Sequence, residues 1–271
     1  MIEGVSVRCT VGGVELLRSS RIVLSYKRRA VLSSLVITVP DPFGDVRLNI
    51  AMGDAVALRF GYRREKKLWH EWTGTLDSID QPPSKSGEEN ALILRCVGME
   101  KALSTTFVTE SFYGESAKVV ARRLLSMTGL AVSNVNIPDE ILPHQVFSHV
   151  SVARAIKQLD MTLSTSFGHD LSAHASWLGP NGLTWSAGDE EGDVYTIATA
   201  ENLLVHTPPV GKGTGVITSV LLPNLIASRR IQIRDVRRGV YGSFRALEVV
   251  HTLSAKGNTS TITYGKEQGW G

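Results

Sequence analysis

Cysteine is almost absent from this chain of 271 residues, which holds only Cys9 and Cys96 and no CxxC pair. A structural zinc site of the usual ligand spacing is therefore excluded. Met1-Ile2-Glu3-Gly4 has neither the basic nor the apolar character of a secretory leader. Both cysteines accordingly read as reduced, small, buried apolar side chains. Long hydrophobic runs are missing as well. Ala55–Leu58 and Ala91–Leu94 are only a few residues each, far short of the ~20 residues of a membrane helix. Aromatic residues are scarce at 7% and charged ones modest at 20%, beside 42% hydrophobic residues. That mixture is globular and excludes a disordered chain.

Charge of one sign is lacking too. The net charge is +3, too small an excess to argue for nucleic-acid binding. Basic residues occur as short clusters: Lys27-Arg28-Arg29, Arg63-Arg64 with Lys66-Lys67, Arg122-Arg123, Arg229-Arg230 and Arg237-Arg238. These read as solvated faces and turns.

What is present is a strand pattern. Arg21–Ser25 is rich in β-branched residues, and Leu35–Val39 is stopped by Pro40-Asp41-Pro42. After the Gly53-Asp54 turn, Val56, Leu58, Phe60 and Tyr62 share one face at period two. The basic stretch 63–67 is a hairpin tip, and Trp69–Ile79 returns as a strand with a bulge expected at Gly74. Gln81–Asn90 is a polar loop, and Leu92–Val97 is a further strand. Strands this short and this closely spaced suggest an antiparallel barrel or sandwich.

The period changes at Ser116. Ala117, Val120, Ala121, Leu124 and Leu125 make one helical face, closed by Gly129. Asn134–Pro143 reads as a loop. Ser151 caps a second helix with Val152, Ala155, Ile156 and Leu159 as its stripe. Leu163–Phe167 and Ala173–Leu178 read as short strands, and Gly179-Pro180-Asn181-Gly182 as a tight turn before Leu183–Trp185. The end is β again: Thr214–Leu222, Arg230–Val236, Tyr241–Leu253 and Ser260–Tyr264, with Gly257-Asn258 as the hairpin turn. The expected domains are 1–110, 111–187 and 188–271, the outer two β-rich and the middle one α/β.

Motifs that carry chemistry do not emerge. Gly211-Lys212 and Gly265-Lys266 lack the upstream glycine of a phosphate-binding loop. His144/His149 and His169/His174 are five apart, so neither a helix nor a strand turns them to one side. Histidines are expected at the surface or partly buried. Gly114-Glu115-Ser116-Ala117-Lys118 fails the nucleophile pattern at its last glycine. Asp77/Asp80 and Glu88/Glu89 read as loop charges. No catalytic residue, cofactor site or metal site is expected.

The order of signals resembles a known family. Gly53-Asp54-Ala55-Val56-Ala57-Leu58, followed by Glu71–Ile79 with Trp72 at an aromatic position, is similar to a hairpin of phage tail baseplate hub proteins. Phage late control proteins and the amino-terminal part of type VI secretion spike proteins share that hairpin. Leu94–Leu103 resembles the family's next strand. Phe112–Leu130 resembles its helix, on Ser116, Leu124, Leu125, Thr128, Gly129 and Leu130. Leu221-Leu222-Pro223-Asn224-Leu225, Arg230–Val236 and Tyr241–His251 resemble its second barrel.

The resemblance implies a mainly β fold: two tail-tube-like antiparallel β-barrels with an inserted α/β domain. It implies a structural homotrimer, a pseudo-sixfold ring between a hexameric tail tube and a trimeric central spike. Other baseplate proteins would be neighbours, and DNA would cross the lumen only in transit. The setting is a virion tail baseplate assembled in the host bacterial cytoplasm, or a related contractile injection system. Tube-docking residues are then expected in two loops, one with Arg63, Arg64, Lys66 and Lys67 and one with Gly211, Gly213 and Gly215. Two other readings stand beside it. One is a carbohydrate- or nucleic-acid-binding β module with a groove lined by Trp69, Trp72, Trp177 or Trp185. The other is a peptidoglycan hydrolase with two close carboxylates.

Overall fold

Alternating apolar residues pair into ladders that bury one face. The computed structural model describes residues 4–17, 21–28, 32–64, 69–81, 91–187, 194–211 and 213–265. In chain order it begins β1 (Val5–Val11), β2 (Val14–Glu15), β3 (Arg21–Lys27), β4 (Ser34–Pro40), α1 (Asp45–Asn49), β5 (Ala55–Tyr62), β6 (His70–Asp80) and β7 (Ala91–Gly98). Then come α2 (Ala102–Thr105), β8 (Phe107–Ser116), α3 (Ala117–Ser126), β9 (Val132–Val135), β10 (Ile141–Ser151) and α4 (Val152–Phe167). The rest are β11 (Ala175–Gly179), β12 (Gly182–Ser186), β13 (Tyr195–Ala198), β14 (Leu203–Thr207), β15 (Gly215–Val220), β16 (Arg230–Asp235), β17 (Val240–Ser254) and β18 (Gly257–Gly265).

The chain divides into two compact units. One takes Met1–Lys27, Leu32–Met99 and Val194–Lys266, and the other takes Arg28–Val31, Glu100–Asp193 and Glu267–Gly271. The first unit is a curled sheet of 13 strands in the order β14-β15-β18-β17-β3-β4-β7-β6-β5-β1-β2, with β16 on β17 and β13 on β16. Its ladders are antiparallel except β13–β16, which is parallel. Inward residues at period two, among them Ile22, Leu24, Leu35, Ile37, Val56, Leu58, Phe60, Trp72, Leu94 and Cys96, form one apolar cluster. Ile197, Ile217, Ile231, Ile233, Val249, Ile262 and Tyr264 form a second. The second unit packs α3 and α4 with the β8–β10 ribbon and the sheet β11-β12-β9 around its own core, with Trp185 fully buried.

The mainly β fold with a smaller α/β part stands, and several element readings need correction. Asn134–Pro143 is not a loop: β9 ends at Val135 and β10 starts at Ile141. Pro143 is tolerated because the ribbon has two strands and every strand is an edge. Leu163–Phe167 is helical. Leu163 continues the buried stripe of α4, and Thr162, Ser164 and Thr165 turn their hydroxyls back onto carbonyls four residues earlier. Gly168, at φ 75°, stops the helix.

The bulge lies between Leu76 and Ser78, not at Gly74. The β17–β18 turn is Ala255-Lys256, with Gly257 already paired to Ser254. Strands β1, β2, β13 and β14 complete the sheet beyond those legible at period two. Asp77 and Asp80 stand on β6 rather than in a loop, and Asp80 pairs with Arg95 at 2.7 Å. Gln81 is the last described residue before 82–90, so most of that expected loop and Glu88/Glu89 lie outside the described residues, as do the boundary 188–192 and Trp270.

Gly74 matters for contact rather than for a bulge. A Cβ there would sit 2.2 Å from the Val97 carbonyl oxygen and 2.5 Å from the Trp72 ring. Trp72 is buried and donates its indole N–H to the Ser33 hydroxyl at 2.8 Å. Gly74→Ala is therefore expected to lower stability by about 1–3 kcal/mol or more, read as a lower denaturant midpoint with unchanged slope. A midpoint equal to the parent's would contradict this packing.

Candidate assembly surfaces

Strand direction fixes where the expected loop residues lie. β5 runs out at Tyr62, so Arg63 and Arg64 stand exposed at the tip beyond it. The Arg63 backbone N–H donates to the Gly4 carbonyl at 3.2 Å. Lys66 and Lys67 lie outside the described residues, as does Lys212. Gly211 and Gly213 are exposed, and Gly211 has φ 61°. Gly215 is buried at the start of β15, where a Cβ would meet the Tyr264 ring at 2.5 Å. It is a packing glycine rather than an open part of the loop.

The Tyr62 hydroxyl donates to the Leu221 carbonyl at 2.7 Å, just past the far end of β15. Six residues separate Gly215 from Leu221 along that strand, about 20 Å at its usual rise. The two expected loops therefore lie toward opposite ends of β15 and are not brought together.

Other exposed groups were not singled out from the sequence. The loop between β4 and β5 carries Phe43 at 83% exposure, Leu48 at 83% and Met52 at 72%. Helix α1, within it, has no buried residue at all. Beside it is a depression of about 300 Å³ lined by Asp41, Gly44, Arg47, Leu48, Gln81, Ala91 and Leu92. This loop and the Gly12-Gly13 hairpin sit where β5 begins, because Val11 pairs with Val56. That end is apolar and the Arg63 end is basic. Nothing in the sequence separates these three apolar side chains from core ones; of α1 only Val46 packs against the first apolar cluster, which leaves Leu48 displayed.

Unsealed sheet edges are the second feature. Among the described residues, β14, β2 and β13 are the outermost strands. β14 exposes Leu204 and Val205. Its remaining anchor is a buried network. The Tyr264 hydroxyl donates to His206 Nε2 at 2.8 Å, and His206 Nδ1 donates to Asp235 at 2.6 Å. Thr199 and Arg238 also donate to Asp235, at 3.1 and 3.3 Å. Burial by itself raises the Asp235 carboxyl, yet the hydrogen bonds from His206, Thr199 and Arg238 outweigh it and hold the group at about 2. Burial and the Asp235 charge push the Tyr264 phenol upward, which keeps it a donor. The expectation of surface or partly buried histidines is thus corrected: His206 and His251 are fully buried. Their partners are distant in sequence, so no local motif announced them.

The second unit presents its own exposed ribbon. Tyr113 stacks on His144 with ring centroids 4.3 Å apart, and Phe107 on His149 at 4.8 Å. Phe107 and Tyr113 lie on the face of β8 opposite buried Val108, and all four ring residues are exposed.

Groups that could do chemistry are turned to structural use. Ser116 bonds Asp139, and His169 bonds Glu140 at 2.8 Å. Burial pushes the thiols of Cys9 and Cys96 up to about 12, which leaves neither as a ready nucleophile. Among the described residues no three His, Cys, Asp or Glu side chains converge on a metal-sized site. No helix among them is long and apolar enough to cross a membrane. Trp72 and Trp185 are buried, so neither lines an open groove, and Trp69 and Trp177 are half-buried.

Comparison with known proteins places this geometry. No protein family and no curated protein matches the sequence. Solved structures do match. A tail protein from Neisseria meningitidis is 14% identical with a TM-score of 0.70, covering 98% of both chains. A 43 kDa tail protein of prophage MuSo2 from Shewanella oneidensis is 8% identical with a TM-score of 0.71, covering 96% of both. An Escherichia coli type VI secretion component, described as structurally similar to T4 bacteriophage tail proteins, is 10% identical. It has a TM-score of 0.62 and covers 99% of this chain and 79% of its own. The chain has the fold of these tail proteins.

The buried network sets the stability of the β14 edge. Tyr264→Phe leaves His206 Nε2 buried without its donor and is expected to cost about 1–3 kcal/mol, with faster amide exchange in β14. Asp235, held below its unfolded value, contributes stability that is fully present above pH ~4 and is lost as pH falls through about 2. Unfolding midpoints of parent and variant between pH 2 and 7 check both. A Tyr264→Phe protein as stable as the parent would contradict the network's role.

Proposed function

We propose that the protein is a structural hub of a phage tail or related injection particle, without catalytic activity. The observation that carries this reading is the continuous curled sheet of 13 strands enclosing two apolar clusters, in a fold shared with tail proteins over nearly the whole chain. On this reading 1–110 and 188–271 are two tube-like lobes, and 111–187 is an insertion between them. Three subunits then present six lobes, matching a hexameric tube on one side and a trimeric spike on the other.

Lateral contacts use the outermost strands, with Leu204 and Val205 of β14 meeting a neighbouring copy. The Arg63–Arg64 tip faces the tube together with Lys66 and Lys67. The loop at 211–213, toward the opposite end of β15, faces the next baseplate component. DNA passes through the lumen without being held, which a net charge of +3 suits. The exposed apolar loop with Phe43, Leu48 and Met52 is of the kind that marks a protein contact.

Light scattering tests the assembly. The expected mass is about 88 kDa, three times the 29.5 kDa of one chain. Val205→Lys places a charge on the β14 edge and is expected to shift that mass toward one chain without unfolding it. Replacing Arg63, Arg64, Lys66 and Lys67 with Ala is expected to weaken docking to the tube and leave the trimer intact. A parent protein that stays a single chain both alone and with its spike partner would overturn the proposal.

A further inference from the structure

Inside the first unit lies a cluster of rings that the assembly surfaces do not use. Tyr26 on β3, Phe60 on β5, His70 on β6 and His251 on β17 pack together. The ring centroids are 5.7 Å apart for Tyr26–His70, 5.3 Å for Phe60–His70, 5.4 Å for Phe60–His251 and 6.2 Å for His70–His251. β3 and β6 are not neighbours in the sheet, so the cluster closes across the curl rather than along a ladder.

The same imidazoles hold the segment between β15 and β16. His251 Nε2 donates to the Leu225 carbonyl at 2.9 Å, and His251 Nδ1 accepts from the Ser260 hydroxyl at 2.9 Å. The Ser260 oxygen in turn accepts the Leu222 N–H at 2.9 Å. His70 bonds the Tyr26 hydroxyl at 2.6 Å on one nitrogen and meets the Asn224 side chain. Leu222, Asn224 and Leu225, all within one short segment, are thus hydrogen-bonded through the two histidines, directly or by way of Ser260, while Leu221 and Leu225 also pack in the two apolar clusters.

We propose that His70 and His251 form an acid-operated clasp, which holds residues 221–228 against the first lobe while both rings are neutral and releases them when the rings take up protons. The hydrogen bonds are those of the neutral pair. Protonating His251 puts an N–H where it now accepts from Ser260, so the Ser260 oxygen must accept from both His251 and Leu222 and its own proton must leave His251 within a fully buried site. Protonating His70 removes the acceptor for the Tyr26 hydroxyl. A second positive ring at 6.2 Å then repels the first.

The titratable groups facing the pair are Tyr26 from β3 and the two histidines themselves. β5 offers only Phe60, β18 the Ser260 hydroxyl, and the segment its Asn224 amide and Leu225 carbonyl. Among the described residues no carboxylate acts on either ring, and the one charge among them that acts on His251 is that of His70. Burial carries His70 down to about 4 and His251 down to about 3. Both values lie below the ~6.5 of an exposed imidazole. The released form therefore binds more protons, and the clasp weakens as pH falls from about 6.5 toward 4 and is fully closed above that range.

Hydrogen exchange of the whole protein, corrected for intrinsic rates at pH 7 and pH 4.5, tests this directly. Peptides spanning 221–228 are expected to lose at least tenfold protection at the lower pH while β18 stays protected. His70→Phe keeps a ring in the cluster and removes one charge, so release is expected at lower pH. Equal protection at both pH values would overturn the clasp, as would simultaneous loss in 221–228 and β18, or an unmoved midpoint in a folded His70→Phe protein. If that variant does not fold, NMR titration of the parent's imidazoles decides. Both rings titrating below pH 5 supports the clasp, and either one titrating near 6.5 refutes it.

Discussion

Backbone hydrogen bonding along one long strand, β17, is the constraint on which the first unit depends. Of its 15 residues, those from Arg245 to Ser254 run beside β18 on one side. On the other side its first part pairs with β16 and its last part with β3. β16 ends its register at Arg245, and β3 begins at Glu248. Between them Ala246 is left without a strand, and a loop fills the gap. The Ser228 N–H donates to the Ala246 carbonyl at 2.8 Å, and the Ala246 N–H donates to the Arg229 carbonyl at 3.0 Å. The register shift between Ala246 and Glu248 falls at the same place and lets the strand change course. Ser228 adopts φ 80° there, a strained value for a residue with a side chain, held by the burial around it. Two apolar clusters thus share one strand.

Much of this was legible because burial leaves a period in the sequence. The five residues forming the predicted stripe of the first helix are the five buried residues of α3. Ser151 caps α4 as its position suggests, accepting from Arg154. In the first lobe Val56, Leu58 and Phe60 face inward as alternation requires. The errors came where local composition outvoted the period. Pro143 and its polar neighbours resembled a loop, although a two-stranded ribbon tolerates proline. Leu163–Phe167, with Ser164 and Thr165, resembled a strand, although the i−4 carbonyls satisfy those two hydroxyls.

The surfaces were much less legible than the core. An apolar side chain reads the same in sequence whether it is buried or displayed, so Phe43, Leu48, Met52 and Leu204 gave no sign. Arg63 and Arg64 were legible as a tip because a basic run follows a strand. Gly215 looked like part of a flexible loop and instead makes room for Tyr264. His206 and Asp235 lie 29 positions apart, and His70 and His251 farther still, so only the folded sheet brings them together. Buried polar groups of this kind are costly to leave unpaired, which ties β14 and the 221–228 segment to the core far more firmly than their sequences suggest.

The two apolar clusters cannot move apart without tearing β17 from its neighbours, a property that would suit the proposed hub to carrying load. The central claim is that three such chains present six similar lobes around an opening. Electron-microscope projection averages of the purified assembly test it most directly. The account predicts rings with an open centre and six peripheral densities arising from three chains. Averages showing a solid particle with no opening, or a count of densities that three chains cannot supply, would contradict it.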